Sequence, residues 1–263
     1  MKKILFFGAG NIAQAIISGL TLSGFDKKNI LFIDRNNNNN EVLKKIGIKE
    51  YSVKQKNEIG FVVLAVKPKD ALSAFSEICS NFKKAKIISL VAGIRSRQYM
   101  LDSSDVELIR AMPNTSSKFN KGITALFNIS ATKSTFSKAK KIFKKVGIIL
   151  ELDKENKMDD FTGLIGSGPA YFFYLLKAYE KRIMKLCNGD KKMTKEIIGN
   201  FIEGVGMSAK GSLHLDELIS AVASKKGTTE AGLNSFKSTK ILNSFDEGII
   251  AAIKRSKEIS NES

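Results

Sequence analysis

The sequence predicts an α/β domain built on a doubly wound, mainly parallel sheet, followed by an all-helical domain. Three observations carry this reading. Short apolar runs alternate with helical periodicity over residues 1–157; a glycine turn joins the first run to the first helix; and residues 158–263 contain no convincing strand.

The first run, residues 4–7, ends at Gly8, and Ile12, Ile16 and Leu20 then recur at helical spacing over residues 11–22. Residues 30–33 form a second short strand. Residues 61–66 form a third, continuous in Phe, Val and Leu as a strand buried on both faces should be. Strands at residues 87–91, 106–110, 123–127 and 148–152 continue the series, with helices at 71–82 and 134–146. The asparagine run at residues 36–40 is the one low-complexity segment and reads as a surface loop. The character changes near residues 153–160. Helices follow at 169–187, 194–211, 215–223, 229–242 and 246–259, the last with Asp246 placed as its N-cap.

Composition narrows the function classes. At 43% hydrophobic over 263 residues the chain can bury a real core, and no apolar run approaches the roughly 18–20 residues that span a bilayer. Lys2 and Lys3 precede only the short 4–7 run, which does not make a signal peptide. Cys79 and Cys187 are too few and too far apart for a disulfide framework or a metal site, so a reduced, cytoplasmic protein without a metal is expected. The net charge of +17 is carried almost entirely by lysine, with arginine only at 35, 95, 97, 110, 182 and 255. Arginine is the usual residue for bidentate phosphate and base contacts, and the lysines are spread along helical stretches, so the charge reads as a solvated surface that steers anions. Nucleic acid is not an expected partner.

The turn after the first strand reads Gly8-Ala9-Gly10-Asn11-Ile12-Ala13, a GxGxxA fingerprint. Gly8 permits the tight turn and Gly10 lets the backbone approach a pyrophosphate. Ala13 allows the helix to pack close on the strand, and the helix N-terminus faces the phosphates. This predicts a dinucleotide site on a Rossmann-type domain. The second strand ends Ile33-Asp34-Arg35. An acid there takes the ribose hydroxyls of NAD, whereas an arginine suits the 2′-phosphate of NADP. Both are present, and the preference stays open between NADPH and NADH, leaning to NADPH through Arg35 and the asparagines that follow.

Three further segments carry the chain's three prolines: Ala65-Val66-Lys67-Pro68, Arg110-Ala111-Met112-Pro113-Asn114-Thr115 and Gly166-Ser167-Gly168-Pro169-Ala170-Tyr171. The first two end strands at the carboxyl edge, where open α/β sheets bind ligands, and the third opens a long helix. Together with Gly227-Thr228-Thr229-Glu230-Ala231-Gly232-Leu233, in this order and spacing, the set resembles the pyrroline-5-carboxylate reductase family from Lys3 to about residue 245.

The resemblance implies a Rossmann domain, a helical dimerisation domain, and dimers that assemble further into decamers. It implies hydride transfer from NAD(P)H to the C=N of 1-pyrroline-5-carboxylate, giving L-proline. Ala65, Lys67 and Pro68, with Ala92 and Gly93, would flank the nicotinamide; Asn57 would contact the adenosine end; Met112, Pro113 and Asn114 would form the floor. The Gly227–Thr229 loop and Ser224 would bind the substrate. Physics supports this loop: backbone N–H groups leading into a helix can receive a carboxylate, and the Thr229 hydroxyl can hydrogen-bond the ring nitrogen. As a simpler alternative, Thr229 is the helix N-cap. The family usually has Ser-Pro-Gly-Gly-Thr-Thr here, whereas this chain has Ser224-Lys225-Lys226-Gly227-Thr228-Thr229, which alters the loop if its backbone needs positive φ.

An imine asks for orientation and support of its nitrogen, so no catalytic histidine is expected, and His214 reads as a helix-junction residue. Ser167 and Tyr171 could face the cleft or pack. A β-hydroxyacid dehydrogenase would share the two-domain plan, but Phe172 stands where its catalytic lysine belongs. Reduction of a related cyclic imine is one alternative. A non-catalytic nucleotide-sensing or nucleic-acid-binding protein on this fold is the other.

Overall fold

A computed structural model describes residues 2–100 and 105–262. Strand β1 (Lys3–Phe7) leads into α1 (Asn11–Leu22), followed by β2 (Ile30–Ile33), α2 (Asn37–Lys45) and the two-residue β3 (Lys49–Glu50). Then come β4 (Ile59–Leu64), α3 (Ala71–Asn81), β5 (Lys86–Ser89), α4 (Ser96–Met100), β6 (Glu107–Pro113), β7 (Gly122–Asn128), α5 (Lys133–Lys144) and β8 (Gly147–Glu151). The strands form one sheet in the order β3-β2-β1-β4-β5-β6-β7-β8. All neighbours are parallel except β6 and β7, which pair antiparallel from Ile109↔Asn128 to Pro113↔Thr124.

The strand alternation sorts side chains into two cores. On one face Ile4, Phe6, Phe32 and Val63 bury against Ile16, Ile17 and Leu20 of α1 and Ala139 and Phe143 of α5. On the other, Leu5, Leu31, Val62 and Leu64 meet Ala74, Phe75 and Ile78 of α3 and Tyr99 of α4. Each such side chain stabilises by roughly 1.5–3 kcal/mol, so the central strands hold firmly on both sides.

The asparagine run is helix, a correction to its reading as a loop. Asn36 caps α2 by accepting from the Asn38 N–H at 2.9 Å, while Leu43 and Asn40 turn inward. Burial of that face outweighs the poor helix propensity of asparagine.

At the rim, Glu107 accepts from the Thr132 N–H and hydroxyl, both at 2.8 Å, and lies 3.5 Å from Lys86 Nζ. Burial pushes this carboxyl up, but the threonine donors at 135 and 132 and the Lys86 charge outweigh it and pull it down to about 2. A folded pKa below the ordinary 4.5 means that this stabilisation is complete above that value and is lost as pH falls through about 2. Glu107→Gln is therefore expected to flatten the decline of the urea midpoint between those two pH values. Parallel curves for the two proteins would show that the carboxylate is not used.

Beyond β8, α6 (Lys157–Phe161) passes through a wide π-type turn over Thr162–Gly166, where the Ser167 N–H reaches the Thr162 carbonyl at 2.9 Å. Met158 and Phe161 bury beside Met112 and Ala125. The chain divides into two compact units: residues up to Pro169 with those from Ala251 on, and Ala170–Ile250. The division thus differs from the expected one at 157/158. The cause is packing, since residues 158–169 belong with the sheet and so do the later turns of the last helix.

The second unit comprises α7 (Gly168–Leu186) beyond its first turn, α8 (Lys191–Ser208), α9 (Leu215–Val222), α10 (Thr228–Ser238) and the start of α11 (Ile241–Glu262). Helix α11 starts at Ile241, so Asp246 is an interior residue and not an N-cap. Lys240, with φ of 52°, makes the break that Asp246 was expected to make. Across residues 170–250 no hydrophobic side chain is buried, and Phe172, Phe173, Phe201, Val205, Leu215 and Val222 are all exposed.

Candidate active site

The carboxyl ends of β1, β2 and β4 are drawn together by backbone bonds: the Gly8 N–H donates to the Ile33 carbonyl and the Ala65 N–H to the Phe7 carbonyl, both at 2.8 Å. Gly8 has φ of +103°, and a Cβ there would lie 2.5 Å from the Ala65 carbonyl oxygen. Only glycine fits. Gly10 is different. It is the N-cap of α1 with ordinary φ, and nothing lies within 4 Å of where its Cβ would be. The fold itself does not demand glycine at this position; it leaves an open cradle. The Asn11 and Ile12 end of α1 has no side-chain cap and no acid in its first turn, and Ala13 is fully buried against the sheet. Donors, positive helix end and open space suit a pyrophosphate.

Asp34 does not simply face the cradle. Its carboxylate accepts from the Ala9 N–H at 2.5 Å and the Asn36 N–H at 2.6 Å, with the Asn39 amide at 3.3 Å. It braces the glycine turn against the entry of α2. Arg35, next to it, is exposed and has no ion-pair partner among the described residues. Gly8, Gly10, Asp34, Arg35, Asn36, Asn39, Ala65 and Lys67 line one cavity of about 390 Å³.

The neighbouring strand ends supply the rest of this edge. Ala65 follows β4, and Lys67 and Pro68 lead through a short 3-10 turn into α3. Ala92 and Gly93 follow β5, while Met112 and Pro113 end β6 and Asn114 comes next. Asn114 is buried and its side-chain oxygen accepts from the Ile123 N–H at 3.1 Å, so it locks the β6–β7 connection. Asn57 is not brought here. It lies two residues ahead of β4, at the opposite, amino edge, beside Lys56, Lys83 and Lys84. Tyr51 and Ser52, just past the carboxyl end of β3, stand on the fingerprint's edge instead.

Sequence reasoning missed two acids. Glu155 accepts from the Ser96 N–H and hydroxyl, both at 2.7 Å, and from Arg110 at 2.8 Å. Burial pushes its carboxyl up, yet Ser96 and Arg110 together hold it below the ordinary range. Asp159, buried, accepts from the hydroxyls of Ser256 and Ser260, each at 2.9 Å. The available signal was an acidic stretch at residues 151–160 of a strongly basic chain.

In the helical unit, Gly227 is the N-cap of α10 and no side chain caps it, which removes the reading of Thr229 as N-cap. Thr228 and Thr229 open the helix, and the Thr229 hydroxyl makes no hydrogen bond within the chain among the described residues. Lys226 adopts φ of 59° and its N–H donates to Glu230 at 2.7 Å. Lysine thus takes the left-handed conformation that glycine usually supplies, and the turn into the helix survives the substitution. Ser224 accepts the Gly227 N–H through its carbonyl at 3.0 Å. His214 is the N-cap of α9, its N–H held by Glu217 at 2.6 Å. Tyr171 packs edge-on to Phe245.

Two family models match the chain: "NADP oxidoreductase coenzyme F420-dependent" over residues 3–93 and "Pyrroline-5-carboxylate reductase dimerisation" over residues 155–259. A relative from Bacillus subtilis, pyrroline-5-carboxylate reductase 2, is 34% identical over 100% of this chain and 96% of its own. The solved pyrroline-5-carboxylate reductase of Coxiella burnetii is 27% identical with a TM-score of 0.83, covering 98% of both chains. The pyrroline carboxylate reductase of Plasmodium falciparum, solved with NADP bound, shares the fold at 24% identity and a TM-score of 0.84, again covering 98% of both chains.

Proposed function

This chain belongs to the pyrroline-5-carboxylate reductase family, and on that premise we propose that it reduces the C=N bond of 1-pyrroline-5-carboxylate to give L-proline. It is an NAD(P)H-dependent oxidoreductase. The observation that carries the reading is the Gly8–Gly10 cradle with Arg35 beside it, on a chain alignable with the family from end to end.

When bound, the dinucleotide supplies the hydride. The chain's own residues bind and orient. Gly8, Gly10, Asn11, Ile12 and Ala13 form the pyrophosphate cradle, and Arg35 takes the 2′-phosphate. Ala65, Lys67, Pro68, Ala92 and Gly93 flank the nicotinamide, over a floor of Met112, Pro113 and Asn114. The N–H groups of Thr228 and Thr229, at the positive end of α10, receive the substrate carboxylate beside Ser224, while the Gly227 N–H is held by the Ser224 carbonyl. The Thr229 hydroxyl supports the ring nitrogen. Holding two reactants in register can contribute roughly 7–11 kcal/mol, which is why an imine reductase manages without a histidine or carboxylate pair.

The protein is a homo-oligomer through its helical unit, whose apolar side chains are unburied in the single chain. The dimer is the basic assembly, with the decamer its larger form, and a chain with only two cysteines fits a cytoplasmic setting.

The direct test is oxidation of NADPH with 1-pyrroline-5-carboxylate, followed as proline appears. Cofactor binding without proline formation would overturn the reading. Within it, Thr229→Ala is expected to lower kcat/KM for the imine about tenfold, the worth of one hydrogen bond to a charged group, with NADPH affinity intact. Undiminished imine reduction would remove Thr229 from the reaction.

A further inference from the structure

We infer that Asp159 is a positioning residue for the nicotinamide end of the site, acting through the later turns of α11, while Glu155 braces the same loop at Ser96. This rests on the reading of Ala92 and Gly93 given above.

The two acids sit in one short segment and reach the loop after β5, strand β6 and α11. Glu155 holds Ser96 by its N–H and hydroxyl, both at 2.7 Å, and Arg110 of β6 at 2.8 Å. Asp159 Oδ1 accepts from Ser256 and Ser260 of α11 at 2.9 Å, while its Oδ2 lies 3.7 Å from Arg95. Ser256, Ser260 and Arg110 are themselves buried. Between the serines, Ile259 of α11 lies where a Cβ on Gly93 would be, and Gly93 has φ of +79°. One carboxylate thus fixes the helix that presses on Gly93 and attracts the arginine two residues further along the same loop.

Burying a carboxylate is costly unless its lone pairs are satisfied, and an apolar contact would hold a helix without that cost. What the carboxylate adds is register. Ser256 and Ser260 are one turn apart and converge on the same oxygen, so a slip of α11 by one residue breaks both bonds. That register decides which side chain meets Gly93. The backbone after β5, against which the nicotinamide lies, is therefore set from two sides, by Arg95 and by Ile259.

The test is the Ser256→Ala/Ser260→Ala double variant, read in four ways beside the wild type. Hydrogen exchange of residues 92–96 should rise at least tenfold. The turnover number should fall about tenfold, as expected for a small misplacement of the reacting groups. The isotope effect on kcat with NADPH deuterated at the transferred C4 position should grow. The NADPH Kd should stay within twofold, because Gly8, Gly10 and Arg35 still hold the rest of the dinucleotide. Ser256→Thr/Ser260→Thr, which keeps both hydroxyls, should restore all four. If the double variant does not fold, Ser260→Ala alone is read the same way. Unchanged exchange at 92–96 overturns the inference, and so does faster exchange with wild-type kcat and isotope effect, which leaves only a fold staple. Should the wild type itself not reduce the imine, the functional reading fails, and the exchange measurement alone decides whether α11 sets the loop.

Discussion

Alanine at position 8 is expected to lower NADPH affinity by more than about 100-fold and to drop the Tm by about 10 °C. The added Cβ would meet Ala65 and Val66 backbone atoms at 2.5–2.9 Å, in a residue whose φ is +103°. Backbone strain and overpacking cost about 1–3 kcal/mol each, and in a chain of this size each kcal/mol moves the Tm by roughly 2–4 °C. The affinity loss corresponds to about two charge-assisted hydrogen bonds. Gly10→Ala is the informative companion. Nothing in the fold opposes its methyl, so the Tm should hold while NADPH binding fails. Calorimetry and titration of both variants check this. NADPH bound normally by Gly10→Ala would mean that the cradle receives no phosphate.

Arg35→Ala should lower kcat/KM for NADPH about 10–100-fold and move that for NADH less than about twofold, as loss of one charge-assisted contact worth about 1.5–3 kcal/mol predicts. The asymmetry follows from the 2′-phosphate, which NADH lacks, and it is not offset by Asp34. Its oxygens already accept from the N–H groups of Ala9 and Asn36, so it serves the turn before it serves a ribose. Steady-state rates with both cofactors decide the matter, and equal losses would refute a 2′-phosphate role for Arg35.

Much of the sheet was legible because its strands are continuous apolar runs. Residues 61–64 are buried without exception, and such a run has few other solutions. The fingerprint was legible for a similar reason, since its first glycine, Gly8, stands where a Cβ collides. Local pattern failed where tertiary contacts decide. Strand β3 is two exposed charged residues at the sheet edge, with nothing apolar to announce it. The asparagine run becomes helix because Leu43 and Asn40 find a core, which composition does not reveal. Asn57 is a different failure. A residue just ahead of a parallel strand belongs to the amino edge, so its distance from the fingerprint followed from the strand assignment itself. Glu155 and Asp159 belong to no motif, and their partners lie up to 101 residues away in sequence.

The helices of residues 170–250 also bear on how the molecule comes into being. Five helices that bury no hydrophobic side chain of their own gain little from folding alone. Their stability arrives with the second copy, so maturation of this half is a bimolecular event. Apparent stability then rises with protein concentration, and renaturation slows on dilution while the sheet, with its own two cores, re-forms at a rate indifferent to it. A newly made subunit waits for its mate with its stickiest surface uncovered, and the interval is set by how much of the protein the cell already holds.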